Sequence, residues 1–566
     1  METTYEYANW VLIGLGFYLA AMLYIGYYAS KKIEGGTDFL VAGRRLGLFF
    51  CTGTLFATWF GSGTCMGGAG NAYLFGNQGV IFDPWGAAIC LLLAGFFFAR
   101  IMRRGRFLTL VDIFDIRYGK GMGIISTVTI SIAEIGWVGA QLVGFGTILH
   151  FFAGIPLWVG IVVATVLLIA YTYLGGMWAV TLTDVVQMII IVAGLVIMFF
   201  YMLPHAGGLD GLFANDTSNV LGINKWSFIP TPESAANVEM ENAGFFYYTG
   251  LQGWLYWLGA VMAIGLGSIP AQDLMQRMLS AKSEKVASHS SYWAALLYVT
   301  VGMLPVMIGM IYFHINPGLG LEDAMNKILI FAAVDYLPPI LTVLFVSALV
   351  SALMSSSDSA ILATASVIGY NGSKYINKDI TEEQTLKITR LFIPIVTCAA
   401  LVLAMYFQTI YNLMVIAWSI LLVGLFAPYA AAFFWKKANQ VGAVASFVVG
   451  FSVWIAGYFY FLPETMAANI DVAPGIEGLY FDWAMWDALY IASPLGLLGS
   501  VVTLVVVSLA TQQFDAPKPL RDIDGDLLPT VNWKGVFGRG HEDHTGHLTD
   551  EEIIHEHDEK KRLKHI

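Results

Sequence analysis

Thirteen consecutive residues, 347–359, read Ser-Ala-Leu-Val-Ser-Ala-Leu-Met-Ser-Ser-Ser-Asp-Ser and put six hydroxyls and a carboxylate into an otherwise apolar run. Hard cations want several oxygen ligands, and serine hydroxyls with freed backbone carbonyls supply them without a buried net charge. The same residues also suit close helix packing, with each hydroxyl bonded back to its own helix. Five acids, Asp83, Glu134, Asp184, Asp273 and Asp358, stand within or at the ends of apolar stretches that hold almost no basic residues. A charge at the bilayer centre costs roughly 2.5–3.5 kcal/mol on insertion scales, so such acids mark a cavity or an ion path. The field they set favours cations. Asp273 and Arg277, four apart on one helix, can instead satisfy each other as an ion pair.

These groups need elements that carry them to bilayer depth. The chain has 566 residues, 57% hydrophobic and 12% charged, with mean hydropathy +0.68, whereas soluble domains carry roughly 25% charge. A spanning helix needs about 20 apolar residues. Thirteen stretches qualify: 8–29, 46–74, 79–101, 121–152, 155–174, 182–204, 246–279, 286–313, 337–369, 388–408, 411–435, 441–462 and 488–511. The first runs straight into Lys31 and Lys32 without a basic leader, so it is expected to stay as a helix.

Two stretches are interrupted. Residues 61–70 (Gly-Ser-Gly-Thr-Cys-Met-Gly-Gly-Ala-Gly) and 265–270 (Gly-Leu-Gly-Ser-Ile-Pro) place helix breakers inside apolar runs, where glycine costs about 1 kcal/mol and proline about 3. Unwound backbone at that depth is tolerated only against protein or a water-filled cavity. Corresponding breaks in two halves point to the central site of a transporter. They lie in the second and seventh stretches, five apart, which predicts two five-helix units of opposite topology. Glycines that merely let helices pack closely are the alternative.

Lysine and arginine set the orientation. With the N-terminus outside, Lys31, Lys32, Arg44, Arg45, Arg103, Arg104, Arg106, Arg117, Lys120, Arg277, Lys282, Lys285, Lys374, Lys378, Lys387, Arg390, Lys436 and Lys437 fall in or beside cytoplasmic loops, and only Lys225 and Lys327 fall outside. The expected division is an extra N-terminal helix and loop (1–45), a first five-helix unit (46–204), an outer loop (205–245), a second unit (246–436), two further helices (437–512) and a cytoplasmic tail (513–566).

The run Gly-Gly-Met-Trp-Ala-Val-Thr-Leu-Thr-Asp-Val-Val-Gln at 175–187, Gln276-Arg277 followed by Ala281-Lys282-Ser283, and the serine-rich helix resemble the sodium/solute symporters over roughly 8–512. The resemblance implies an all-α membrane protein of LeuT-type fold with about 13 transmembrane helices, two inverted five-helix repeats and Na+ as coupling ion. It implies a sodium site built from the carbonyls of Ala57, Phe60 and Ala348 and the hydroxyl of Ser351. Ala352 stands where many members carry a second hydroxyl. Asp184 with Ser355 resembles an additional cation site of some members, or an inner-gate acid.

Within the family, Ala57-Thr58-Trp59, Glu134 with Trp137, and Met354-Ser355-Ser356 with Asp358-Ser359 resemble the high-affinity choline transporter branch. Tryptophan faces attract quaternary ammonium by about 0.5–2 kcal/mol each, so Trp59 and Trp137 are two expected walls of a cage. Where that branch has a third tryptophan, this chain has Ala271. A less symmetric amine, a betaine or an amino-acid derivative is therefore as plausible as choline. The expected solute contacts are Trp59, Ser62, Thr64, Asp83, Trp137 and Gln141, with Ala271 and Asp273 opposite.

Other chemistries find no machinery. Walker A, HExxH and GxSxG are absent from the sequence, which leaves an ion gradient as the energy source and no enzyme. No basic patch suggests nucleic acid. The partners expected are the solute, Na+ and the lipid bilayer, in a cell membrane. Cys51, Cys65, Cys90 and Cys398 lack metal-ligand spacing and read as buried packing residues. The tail histidines, from His541 to His565, lie among acids with few apolar residues to fix a geometry, and solvated disorder suits them better than a transition-metal site. The sequon Asn215-Asp216-Thr217 falls in an outer loop. A transporter-like sensor is the rival reading, weakened by a tail too short and polar to build a signalling domain. A passive channel is the third.

Overall fold

The computed structural model describes residues 7–31, 35–214, 224–229, 250–319, 321–377, 379–470 and 477–528. The sequon and the tail histidines lie outside them. Among the described residues the regular structure is helical, with isolated bridges only at Leu46–Ala281 and Arg521–Leu527. The first half runs Ala8–Ser30 (α1), Leu48–Trp59 (α2), Gly68–Phe75 (α3), Ala87–Leu93 (α4), Val111–Arg117 (α5), Lys120–Ala153 (α6), Leu157–Leu174 (α7) and Met177–Met202 (α8). The second runs Gly250–Gly265 (α9), Gln272–Ser280 (α10), Glu284–Val301 (α11), Met303–Ile315 (α12), Leu321–Tyr336 (α13), Pro339–Ser366 (α14), Glu382–Phe407 (α15) and Ile410–Leu421 (α16). Gln440–Ile470 (α17) and Glu477–Ala510 (α18) follow.

Ten helical stretches among the described residues are long and apolar enough to cross a membrane. The difference from thirteen lies at the interruptions and at one shorter helix. The second stretch leaves α2 as a separate short helix, its remainder and the third stretch adjoin within Gly63–Arg104 but are parted by non-helical backbone at Gly76 (φ 62°) and Asp83 (φ −144°, ψ 121°), and the fifth forms a shorter apolar helix. The seventh is divided into α9 and α10.

Sequence decides which helices sit inside. From Phe345 to Ser366 every residue of α14 is buried, because serine and alanine on all faces let neighbours approach from every side. The half-helix α2 is packed against α8, α11 and α14. The outer elements do the reverse: α1 turns Trp10, Phe17 and Tyr24 outward, and α18 exposes Leu498 and Val506, apolar groups that lipid accommodates. One expectation is corrected here. Cys398 is exposed, unlike the other three cysteines, because it shares the outward stripe of α15 with Leu391, Ile395 and Val402.

Candidate functional site

The first break begins where Phe60 leaves helical geometry, at φ −78° and ψ 74°. Gly61 N–H then donates to the Trp59 carbonyl at 2.9 Å instead of reaching back one full turn. The carbonyl of Ala57 is thereby freed to accept from Ser355 Oγ at 2.8 Å and Ser356 Oγ at 3.4 Å on α14. Ser62 N–H donates to Gln141 Oε1 at 2.7 Å, and Ser62 Oγ donates to the Ala140 carbonyl at 3.1 Å. Position 61 must be glycine for this approach, since a Cβ there would lie 2.5 Å from Gln141 Oε1 and 2.6 Å from Ser356 Oγ. The unwound backbone is thus tied to α6 and α14.

The serine-rich helix meets this break one turn, about 5.4 Å, further along than the resemblance implied. Ser351 Oγ donates to the Ser347 carbonyl of its own helix at 2.8 Å. Ala348 packs toward α8, where a Cβ on Gly194 would lie 2.7 Å from its methyl. The consecutive hydroxyls Ser355 and Ser356 occupy the place opposite Ala57, and Ala352 brings its carbonyl to Ser355 Oγ at 3.1 Å.

A second polar group lies alongside. Asp184 Oδ2 accepts from Thr54 Oγ1 at 2.5 Å, Thr58 Oγ1 and Ser359 Oγ are 3.1 Å apart, and Arg277 Nη2 donates to Ser359 Oγ. Asp184 Oδ1 and Asp358 Oδ2 are buried without a partner. Asp184 and Asp358 lie within electrostatic reach of each other.

Trp59 and Trp137 converge on an indole that spacing alone did not single out. Trp418 of α16 stacks on Trp59 with ring centres 6.1 Å apart and stands 5.8 Å from Trp137. All three are nearly fully buried, and none of their ring N–H groups has a partner. Trp418 thus faces both walls that the sequence provided, despite Ala271. Glu134, one turn before Trp137, accepts the Asp273 N–H on Oε1 at 3.1 Å, while Glu134 Oε2 and Asp273 Oδ2 are buried and unpaired. The expected alternative of an Asp273–Arg277 pair does not form. Arg277 Nη1 donates to the Asp273 carbonyl at 3.1 Å, not to its carboxylate. Thr64 and Asp83 bond to each other, Thr64 Oγ1 standing 2.8 Å from Asp83 Oδ2.

The second break, between α9 and α10, is wound on itself. Ser268 N–H donates to Ile264 at 3.3 Å, Ile269 to Leu266 at 3.1 Å and Ala271 to Ser268 at 3.2 Å. Gly267 lets this turn lie on α16, because a Cβ there would sit 2.1 Å from the Ala263 carbonyl oxygen and 2.4 Å from that of Trp418.

A polar cover lies beyond the membrane-depth groups. Leu110 N–H donates to Gln272 Oε1 at 2.7 Å, next to the second break. Asn371 Nδ2 donates to Asp112 Oδ1 at 3.0 Å, and Tyr375 Oη donates to Asp115 at 2.7 Å. Burial pushes the Asp115 carboxyl up to about 6. The segment around α5 thereby fastens α10 to the end of the α14 rod.

Sequence reasoning passed over Thr54, Tyr298 and Trp418, and named Thr58 and Ser356 only within longer motifs. The signal for Trp418 was a tryptophan in mid-helix rather than at an interfacial end, where such residues concentrate.

Comparison with known proteins bears on this geometry. The profile of the sodium:solute symporter family matches residues 39–450. A high-affinity choline transporter of Torpedo marmorata is 29% identical over 461 residues, covering 78% of this chain and 75% of the relative. The sodium/pantothenate symporter of Escherichia coli (strain K12) is 25% identical over 458 residues, covering 78% of this chain and 89% of the relative. Among solved structures, a Na+-coupled sialic acid symporter in a substrate-bound outward-open state superposes with TM-score 0.67 at 21% identity, covering 90% of this chain and 98% of that one. The fold is therefore LeuT-type, with two inverted five-helix repeats.

Proposed function

The chain belongs to the sodium:solute symporter family, and from that premise we propose that it takes up a small amine-bearing organic solute by alternating access. Sodium is the coupling ion, and the protein is a multi-pass membrane transporter rather than an enzyme. One observation carries the finer reading: the freed Ala57 carbonyl faces the hydroxyls of Ser355 and Ser356 beside a three-indole cluster.

In this reading sodium is held by the carbonyls of Ala57, Phe60 and Ala352 and the hydroxyls of Ser355 and Ser356. It replaces the Ser355–Ala57 hydrogen bond with ion–oxygen contacts and bridges the two repeats. A sodium ion that binds better when α2 and α14 are clamped favours the solute-receptive state, a coupling of about 1–3 kcal/mol. Asp184, Asp358, Ser359 and Thr58 form a second cation position. The solute sits against Trp59, Trp137 and Trp418, with Glu134 and Asp273 as its anionic neighbours, and Ser62 and Gln141 hold the break open. A choline-like amine, a betaine and an amino-acid derivative are the candidate solutes. We place the protein in the cell membrane with its N-terminus outside and keep 46–204 and 246–436 as the two repeats.

Reconstitution tests this. Proteoliposomes with an inward sodium gradient are expected to accumulate labelled choline, betaine or proline, and Ser355→Ala with Ser356→Ala is expected to abolish the sodium stimulation. Flux that ignores the sodium gradient for every solute is the result of a channel and refutes the proposal.

A further inference from the structure

Asp83 is a buried carboxylate that the sodium position does not use. It is 1% exposed and forms no ion pair among the described residues. The groups within electrostatic reach of it are Cys65 of the first break, Tyr298 of α11, Tyr411 of α16 and Tyr490 of α18. Asp487 lies beyond Tyr490. Tyr411 Oη donates to the Asp83 backbone carbonyl at 3.3 Å, not to its carboxyl.

Four oxygens stand in a row. The Asp83 carboxyl meets Thr64 Oγ1 with Oδ2 at 2.8 Å and Oδ1 at 3.0 Å, two distances that share one proton, Thr64 Oγ1 is 2.6 Å from Tyr298 Oη, and Tyr298 Oη is 2.5 Å from the Trp59 carbonyl oxygen. Each of these three contacts needs one proton. A carbonyl only accepts, and each hydroxyl carries a single proton, so Thr64 and Tyr298 together fill two. An ionised Asp83 accepts and cannot donate, which leaves one short contact as two lone pairs face to face. A neutral carboxyl supplies the missing proton: Asp83 donates to Thr64, Thr64 to Tyr298, and Tyr298 to the Trp59 carbonyl.

We propose that Asp83 is a proton-binding site, occupied in this arrangement of the first break and wired through Thr64 and Tyr298 to Trp59. The chain then binds a proton as well as a metal cation. Loss of that proton leaves the row one donor short and loosens the Trp59 end of α2, so the break responds to pH. This inference depends on neither the solute nor the sodium ligands, and its test uses no transport.

The test is infrared spectroscopy of the purified full chain at neutral pH, in light and heavy water. The wild-type minus Asp83→Asn spectrum is expected to contain the carbonyl stretch of one neutral carboxylic acid, shifted by deuterium. Carboxylate bands alone in that difference overturn the proposal. Tyr298→Phe gives an independent check should Asp83→Asn fail to fold. Without Tyr298 Oη only the Asp83–Thr64 contact persists, Thr64 fills it unaided, and the neutral-acid band is expected to weaken; an unchanged band contradicts the proton count.

Discussion

The two breaks occupy corresponding places in the two repeats and do different work. At the first, backbone groups turn to other helices: Ala57 to Ser355 and Ser356, Ser62 to Gln141, Trp59 to Tyr298. At the second, Ser268, Ile269 and Ala271 donate to carbonyls of their own segment, and the turn presses on the backbone of α16. Breaking a helix frees polar groups that must find partners at bilayer depth. Where the partners are distant hydroxyls, a cation can take their place; where they are local carbonyls, the break becomes a rigid corner. Repeat symmetry therefore locates both breaks without assigning them the same job.

The contrast can be broken at its glycines. Gly267→Ala is expected to be the most damaging change, since its Cβ meets backbone oxygens at 2.1 and 2.4 Å. Overpacking of this kind costs typically 1–3 kcal/mol, read as lost yield and lower thermal stability. Gly61→Ala meets side-chain ends, Gln141 Oε1 and Ser356 Oγ, which can rotate away. That variant is expected to fold and to lose most of its sodium response. Equal destabilisation of both variants erases the distinction.

Trp418→Ala sharpens the contrast from the solute side. Losing one cation–π wall is worth about 0.5–2 kcal/mol, roughly a 2- to 30-fold weaker apparent solute affinity. Sodium affinity in the absence of solute is expected to stay unchanged. A parallel loss of sodium binding would place the indole in the ion site instead.

The smallest effect concerns the cover that joins α5 to α10 and the end of α14. Burial raises the Asp115 carboxyl to about 6, so the folded state holds this proton more tightly than the unfolded chain does. The resulting stabilisation is complete below the ordinary carboxylate range and is lost as pH rises through about 6. Hydrogen exchange of residues 111–117 is expected to quicken over that interval in the wild type and to lose its pH step in Asp115→Asn.

Much of this was legible in the chain. Glycine and proline within apolar runs located both breaks, and a serine-rich helix with buried acids announced cation chemistry. What sequence left open was height along the helix. Ser351 and Ser355 are four apart and share a face, so periodicity selects the face equally for both. The axial packing of α14 against α2 decides between them, and it presents Ser355 and Ser356 to Ala57. Trp418 was hidden for a related reason: α16 reaches Trp59 and Trp137 through tertiary packing across the repeats, which no local pattern encodes. Cys398 was misjudged because an apolar run in a membrane helix does not say which side faces lipid.

The central claim is that sodium is held at the first break by Ser355 and Ser356. Sodium titration of purified protein, followed by sodium-induced thermal stabilisation, tests it directly across Ser351→Ala, Ser355→Ala and Ser356→Ala. Removing a hydroxyl that contacts a charge costs about 1.5–3 kcal/mol, so Ser355→Ala and Ser356→Ala should each weaken sodium binding roughly 10- to 150-fold, with Ser351→Ala close to wild type. Loss of sodium binding in Ser351→Ala, with both other variants unaffected, would contradict the account.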